Sequence, residues 1–220
     1  MINLNDLTFD SIIRRVQDGD PEIQIGLVKD ITLKNGTSAQ IQIAAKHHYQ
    51  TADKKSATVA FHFITAPIDD LAINNEWTNK GGWEVCDMRE YLNGEFLSLL
   101  PDDLLNVIVP VEIQTAGGGL SNAKIKTTVD KVFLNSEIEV FGKTIYSKDG
   151  EGSQLEIFKN WRNRIKSYYG EEWGIWYWLR SPLSGYSTDF CGVHNGGIAN
   201  KYGANGSGGV CPCFNIGVSE

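Results

Sequence analysis

The chain has 220 residues, of which 41% are apolar and 21% charged. That is enough apolar material for a packed core, which excludes wholesale disorder. The formal charge of −7 lacks the basic footprint of a nucleic-acid binder. No stretch approaches 18 apolar residues, so no membrane-spanning helix is expected. Residues 1–10 lack the basic and apolar regions of a signal peptide, which points to cytosolic synthesis.

The first expected element is a helix over residues 8–17. Thr8 can cap it, and Phe9, Ile12, Ile13 and Val16 fall on one face. Gly19-Asp20-Pro21 ends it. Two strand-like runs follow, residues 23–33 and 38–45, joined by Asn35-Gly36, the strongest short hairpin signal. Residues 58–65 read as a further strand. Over residues 84–100, Val85, Met88, Leu92, Phe96 and Leu99 recur at helical steps, with Gly94 dividing the stretch into two short helices. Pro101 is placed to open another turn. Residues 107–115 and 125–134 read as strands around Gly117-Gly118-Gly119, a loop rather than a phosphate cradle. Residues 154–169 read as a helix with Leu155, Phe158 and Ile165 inward. Residues 173–180 form an aromatic strand. The class is α+β, helices in the middle and strands towards both ends.

The last 40 residues differ in composition. Of the 47 charged residues, only Asp189, Lys201 and Glu220 lie there, along with eight glycines between 185 and 209 and three of the four cysteines. Phe190, Val193, Ile198, Val210, Phe214 and Ile216 are core-type residues, so the segment reads as ordered and loop-rich, closing on a strand over 209–216. Cys86, Cys191, Cys211 and Cys213 read as small buried hydrophobes. Cys211-x-Cys213 is too tight for zinc, and neither metal nor cofactor is expected. The histidines show no metalloenzyme spacing, and no nucleophile elbow or P-loop occurs. The tryptophans around the aromatic strand read as core, with a sugar-stacking platform as the alternative. Arg89 and Arg180 lie in apolar blocks and call for buried ion pairs, with Glu84, Asp87 and Asp130 as candidate partners; anion binding is the alternative.

Several blocks in order carry a resemblance. They are Asn35-Gly36, Gly81-Gly82-Trp83 through Met88-Arg89 and Leu92-Asn93, Leu100-Pro101, Asp130-Lys131-Val132-Phe133-Leu134, Glu151-Gly152, Trp178-Leu179-Arg180-Ser181-Pro182, Phe190 with Val193, and Gly209-Val210 to Pro212 and Phe214. The chain resembles, over residues 22–217, an uncharacterised Firmicutes and prophage domain family. Its closing half looks like a C-type-lectin-type, formylglycine-generating-enzyme-like fold, with small antiparallel sheets, central short helices and a loop-rich C-terminal part. Some proteins of that architecture are variable proteins of diversity-generating retroelements. Where the family has Arg in its closing block, this chain has Cys211.

With the N-terminal helix read above assigned to a separate segment, 1–21, the resemblance implies one C-type-lectin-like domain over 22–217 and a ligand-binding or variable part over 178–216. It implies a non-enzymatic recognition module of phage or prophage origin, tail-associated, located in the virion if phage-encoded and otherwise cytoplasmic. Its implied partners are a host cell-surface protein or glycan, other virion proteins and copies of itself. A structural virion protein and a degenerate enzyme on the same fold are the alternatives. The loop composition, rich in Ser, Tyr, Asn and Gly, matches that of antibody paratopes. The candidate ligand face is Tyr186, Ser187, Thr188, His194, Asn195, Asn200, Tyr202, Asn205 and Ser207, on loops expected to share one edge of the sheet.

Overall fold

The computed structural model describes residues 2–51 and 59–218. It begins with a 3-10 turn at Leu4–Asp6 and helix α1 (Phe9–Gln17). Thr8 caps α1 by accepting the Ser11 backbone N–H, which satisfies one of the open donors at the helix start. Phe9, Ile12, Ile13 and Val16 are all buried, and Phe9 meets Phe61 edge-on at 6.3 Å between centroids. Residues 1–21 therefore include a helix docked on the rest of this chain.

Strands β1 (Val28–Thr32) and β2 (Ser38–Lys46) form the expected hairpin, with Gly36 at φ 87° in the turn. The first run is shorter than residues 23–33. Gly26 takes φ 93°, which breaks extended backbone, so pairing starts at Val28. Strand β3 is Val59–Phe63; Thr58, where the expected strand began, lies outside the described residues. Strands β4 (Thr65–Ala66) and β5 (Ile68–Leu71) follow.

Within residues 84–100 the chain is helical from 87 to 99; the break falls at the extended Cys86, and Gly94 does not split the run. A 3-10 turn (Gly82–Val85) leads to α2 (Asp87–Tyr91), a π turn (Leu92–Phe96) and α3 (Leu97–Leu99). The π turn absorbs Gly94 within a continuous hydrogen-bonded ladder. Pro101 is the cap of α4 (Asp102–Leu105) rather than its first residue. Strands β6 (Val111–Ala116), β7 (Ile125–Asp130) and β8 (Val132–Phe133) precede α5 (Glu137–Phe141), whose capping box joins Ser136 and Glu139.

Residues 154–169 are not one helix. Asn160 is extended and caps a second 3-10 turn, so Glu156–Lys159 and Trp161–Arg164 are separate and Ser167–Tyr168 forms strand β9. Leu155 and Phe158 are buried as expected, whereas Ile165 is 40% exposed. The chain ends in β10 (Tyr177–Pro182), β11 (Asp189–Val193), β12 (Ala199–Gly203), β13 (Gly208–Val210) and β14 (Cys213–Ile216).

Two five-stranded sheets result, with orders β1-β2-β3-β14-β8 and β12-β11-β10-β13-β5, beside the pairs β4-β9 and β6-β7. This is a mixed α+β architecture of small sheets and short helices. The run 209–216 is not one strand. Between β13 and β14 stand Cys211 and Pro212; Pro212 has no N–H to continue a ladder, and the two short strands belong to different sheets. The core is aromatic where the first sheet meets the helices: Phe214 lies 5.7 Å from Phe61 and 6.0 Å from Phe63, and Phe63 lies 5.8 Å from Phe96.

One buried polar chain crosses this core. The Lys166 amine donates to His62 Nδ1 at 3.0 Å, and His62 Nε2 donates to Gln42 Oε1 at 3.1 Å. Both ionisable groups are essentially inaccessible. Burial, with only the nearby thiols as partial compensation, lowers the Lys166 pKa to about 7. Burial, then the Lys166 charge, holds His62 well below the ordinary histidine range.

Candidate functional site

The Trp-Leu-Arg-Ser-Pro block is β10, every residue of which is buried. Its alternation turns Trp176 and Trp178 one way and Tyr177 the other. Trp178 donates its indole N–H to the Leu71 carbonyl at 2.8 Å and meets Trp176 edge-on at 5.0 Å.

Arg180 makes a bidentate pair with Glu139, 2.7 Å at both oxygens, and also donates to Thr115 Oγ1 and the Leu134 carbonyl. Further acceptors are the Gln114 and Glu151 carbonyls at 3.3 Å. Its five N–H groups are occupied, so none remains for an anion. The partner Glu139 was not among the expected acids. Burial pushes Glu139 up, but the Arg180 charge and hydrogen bonds outweigh it, and its pKa is below the ordinary value. Glu151, bound by the Ala116 N–H and the Ser181 hydroxyl, is raised to about 7 by burial. Arg89 does pair with Asp130, at 2.7 Å, and Asp130 also accepts from the Trp83 indole and Thr128.

The loops leaving this scaffold converge on one side chain, Asn79, which is 1% exposed. Its amide donates to the carbonyls of Tyr186 at 2.9 Å and Asp189 at 2.7 Å, and its oxygen accepts the Gly119 N–H at 3.1 Å. Its own N–H donates to Ser187 O, while Gly185 N donates to Gly119 O. A Cβ at Gly119 would collide with the carbonyl oxygens of Leu183 and Tyr186, so the Gly117-Gly118-Gly119 loop is a packing requirement. Three loops far apart in sequence are thus pinned together at residues 74–79, 117–120 and 183–188. Each presents an exposed apolar side chain: Trp77 at 62%, Leu120 at 56% and Tyr186 at 56%. The Lys201 ammonium lies 5.2 Å from the Tyr186 ring centroid, a cation–π contact.

The structure divides the expected ligand residues. Tyr186, Ser187 and Thr188 belong to the Asn79-pinned face, and Asn205 joins it because Ala204 N donates to Thr188 O and Asn205 lies beside Gly203, against which Trp77 packs. His194 and Asn195 lie at the other end of the β11–β12 hairpin, because Val193 pairs with Ala199 there while Asp189 pairs with Gly203 at the first end. The loops therefore do not share one edge: an antiparallel hairpin puts its turn opposite its open end. At that turn Gly197 packs on Ile165 and Gly174 on the Asn195 carbonyl. Ile198 is 64% exposed rather than core. Asn200 and Tyr202 share a face of β12, joined by an Asn200 amide to Tyr202 hydroxyl bond. Tyr202 is stacked at 3.8 Å on Trp176, so it packs against the core rather than standing free. Ser207 is exposed immediately before β13.

Trp77 and Leu120 were missed by the sequence reading. The available signal was Asn79 between Thr78 and Lys80, an amide with no local periodicity to place it. The cysteines are all free and buried. Cys211 and Cys213 do not share a strand, and burial raises the Cys211 pKa to about 12, so its thiol is held protonated.

With this arrangement in view, the class is that of a small-sheet α+β domain with a loop face fixed by an internal amide. Residues 57–218 match the model of a family described as a domain of unknown function (DUF6273), and the chain belongs to that family. The match begins after the Asn35-Gly36 hairpin, which is therefore outside it. No curated protein and no solved structure matches the chain.

Proposed function

We propose that this protein is a non-enzymatic recognition module whose binding face is the loop set held by Asn79. The single observation that carries the reading is that three loops, each with an exposed apolar side chain, are locked to one buried amide. Rigid scaffolds that display exposed aromatic side chains suit binding, because little conformational freedom is lost on association. The aromatic and neutral polar side chains of this face, Trp77, Tyr186, Ser187 and Thr188, favour a ligand held by stacking and hydrogen bonds, a cell-surface protein or glycan. A C-type-lectin-type arrangement is supported by the adjacency of the Trp-rich β10 and the late strand β13, paired at Tyr177 and Gly209. A phage or prophage setting, with a tail location in the virion, rests on the sequence blocks. It gains weight if a near-copy of the codons for residues 178–216 stands beside a reverse transcriptase.

The test is binding of the labelled protein to glycan arrays and to bacterial cells, alongside Trp77→Ala and Tyr186→Ala. Both variants should lose about tenfold or more in affinity while unfolding at the wild-type temperature, as expected for hot-spot aromatics. Undiminished binding by both variants would remove the loop face from consideration.

A second reading, a structural virion protein, is favoured by the opposite end of the β11–β12 hairpin. Trp161, Ile165, Trp173 and Ile198 are all substantially exposed there, around the Gly197–Ile165 and Gly174–Asn195 contacts. Such an apolar patch suits packing against a neighbour or a second copy. Light scattering after size-exclusion, with Trp173→Ser and Ile198→Ser as comparison, separates this reading from the first.

A further inference from the structure

A groove of about 770 Å³ lies between the β1–β2 turn, the β4–β5 segment, the helical run 91–99 and β9. Its volume falls in the range of built ligand sites, roughly 300–1,000 Å³. None of its lining residues belongs to the loop face held by Asn79. Three tyrosines line it. Tyr91 comes from the end of α2, and its ring leans on Phe96 at 6.5 Å. Tyr168 comes from β9, where it stands opposite Ala66 in the parallel pair with β4, and its hydroxyl donates to Asp70. Tyr169 follows it and is 50% exposed. Two of the three rings are thus held in place before any ligand arrives.

The groove is also acidic. Glu95 lies in the π turn, exposed, and reaches the same groove as Tyr91. Such turns are rare and concentrate at functional positions. Burial, then the Glu95 charge, raises the Tyr91 pKa, so the carboxylate acts directly on that phenol. Among the described residues Glu95 pairs with no cation, and no lysine or arginine lines the groove. Asp70 adds a second carboxylate beside Tyr168. An aromatic ring beside an uncompensated carboxylate attracts a cation through its face and through the charge. The hydroxyls of Tyr91 and Tyr169 donate to no described residue, which leaves both as donors to a ligand.

We propose that this groove binds a proline-rich peptide segment in the polyproline II conformation, its prolines on the tyrosine rings and a basic side chain of the peptide at Glu95. Such a segment is stiff before it binds, and its backbone carbonyls, free of internal hydrogen bonds, call for donors of the kind Tyr91 and Tyr169 supply. The acid at Glu95 without a counter-charge selects a basic partner over a neutral or acidic one. An added β-strand is the poorer match. Pro67 stands in the groove between β4 and β5 and has no N–H, so the row of backbone donors that an added strand requires is broken there.

Fluorescence anisotropy with the full chain tests this. The probe is a labelled proline peptide of about ten residues with arginine at both ends. Three comparison peptides carry glutamate for arginine, glycine and serine for proline, or valine and threonine for proline. The arginine–proline peptide should bind saturably and more tightly than all three. Tyr169→Ala should weaken it about tenfold, as for a hot-spot aromatic, and Glu95→Gln about threefold, as for an exposed ion pair. Both positions are exposed, so the unfolding temperature should stay at the wild-type value. Tyr186→Ala on the loop face should leave peptide binding unchanged. The proposal is overturned if the peptide does not bind, if the glycine–serine peptide binds as well, if the valine–threonine peptide binds better, or if Tyr169→Ala and Glu95→Gln bind as the wild type does. Light scattering adds one more refutation: self-association that Tyr169→Ala abolishes and the peptide does not reverse assigns the groove to a second copy. These failures leave the loop-face reading standing, since the two sites share no residue.

Discussion

Replacing Lys166 by Met should stabilise the protein at neutral pH, by an amount that shrinks as the pH rises. The Lys166 ammonium is lowered from the ordinary 10.5 to about 7 by burial. Between those values the unfolded chain holds a proton that the folded chain lacks, so this residue makes stability rise with pH; its penalty is fully present below about 7. Each pH unit across that window is worth about 1.4 kcal/mol per proton. Over pH 7 to 9 the gain is about 2 kcal/mol, because the folded group is half titrated at the lower end. At pH 7 the remaining penalty is about 4 kcal/mol, and losing the bond to His62 Nδ1 returns ~1–3 kcal/mol, so Lys166→Met should be the more stable by ~1–3 kcal/mol. Wild-type data alone would mislead, since the buried thiols, Cys86 and Cys211 raised to about 12, act in the opposite direction over this range. Both proteins carry those thiols, so the difference between them isolates the lysine. Urea unfolding of the pair at pH 7, 8 and 9 provides it. A difference constant to within about 0.5 kcal/mol, or a less stable variant at pH 7, would refute the reasoning.

Three further outcomes are expected. Trp178→Ala should destabilise by ~3–5 kcal/mol in urea unfolding, since the whole indole is buried and its N–H is bonded to Leu71; a loss under ~1 kcal/mol would contradict that burial. Glu139→Gln should cost ~3–5 kcal/mol because it leaves the Arg180 charge buried without a counter-charge, and Arg180→Met combined with Glu139→Leu should recover much of the loss. Tyr186→Ala should change stability by no more than about 0.5 kcal/mol, whereas Tyr202→Ala should cost ~1–3 kcal/mol through its stack on Trp176, and thermal unfolding of the two separates them.

Local rules located most of the secondary structure. Thr8 with the Phe9, Ile12, Ile13 and Val16 face is a self-contained helix signal, and Asn35-Gly36 a self-contained hairpin signal; both need only neighbours in sequence. Residues 154–169 failed because apolar spacing was counted without weighing Asn160, which satisfies the following turn with its own side chain and stops a helix. Arg89 met one of its three expected partners, Asp130, while Arg180 met none. Pairing between residues 41 apart depends on which strand and helix pack together, which no local pattern encodes. The loop face failed in a similar way. Polar composition marked the right segment, but only hairpin register shows that Tyr186 and His194 stand at opposite ends. The amide that organises the face, Asn79, lies more than a hundred residues from two of its acceptors.

Residues 208–216 tie the two sheets together, and β14 is an inner strand bound on both sides, by β3 and by β8. During synthesis the earlier strands leave the ribosome with that slot empty: the edges of β3 and β8 present open backbone donors and acceptors beside Phe61, Phe63 and Phe133. Closure waits for a segment some 150 residues downstream of β3, so the nascent chain passes through a stage that invites strand exchange with another copy or shelter by a chaperone. A ribosome stall before residue 208 would therefore yield a product prone to aggregation rather than a smaller folded unit.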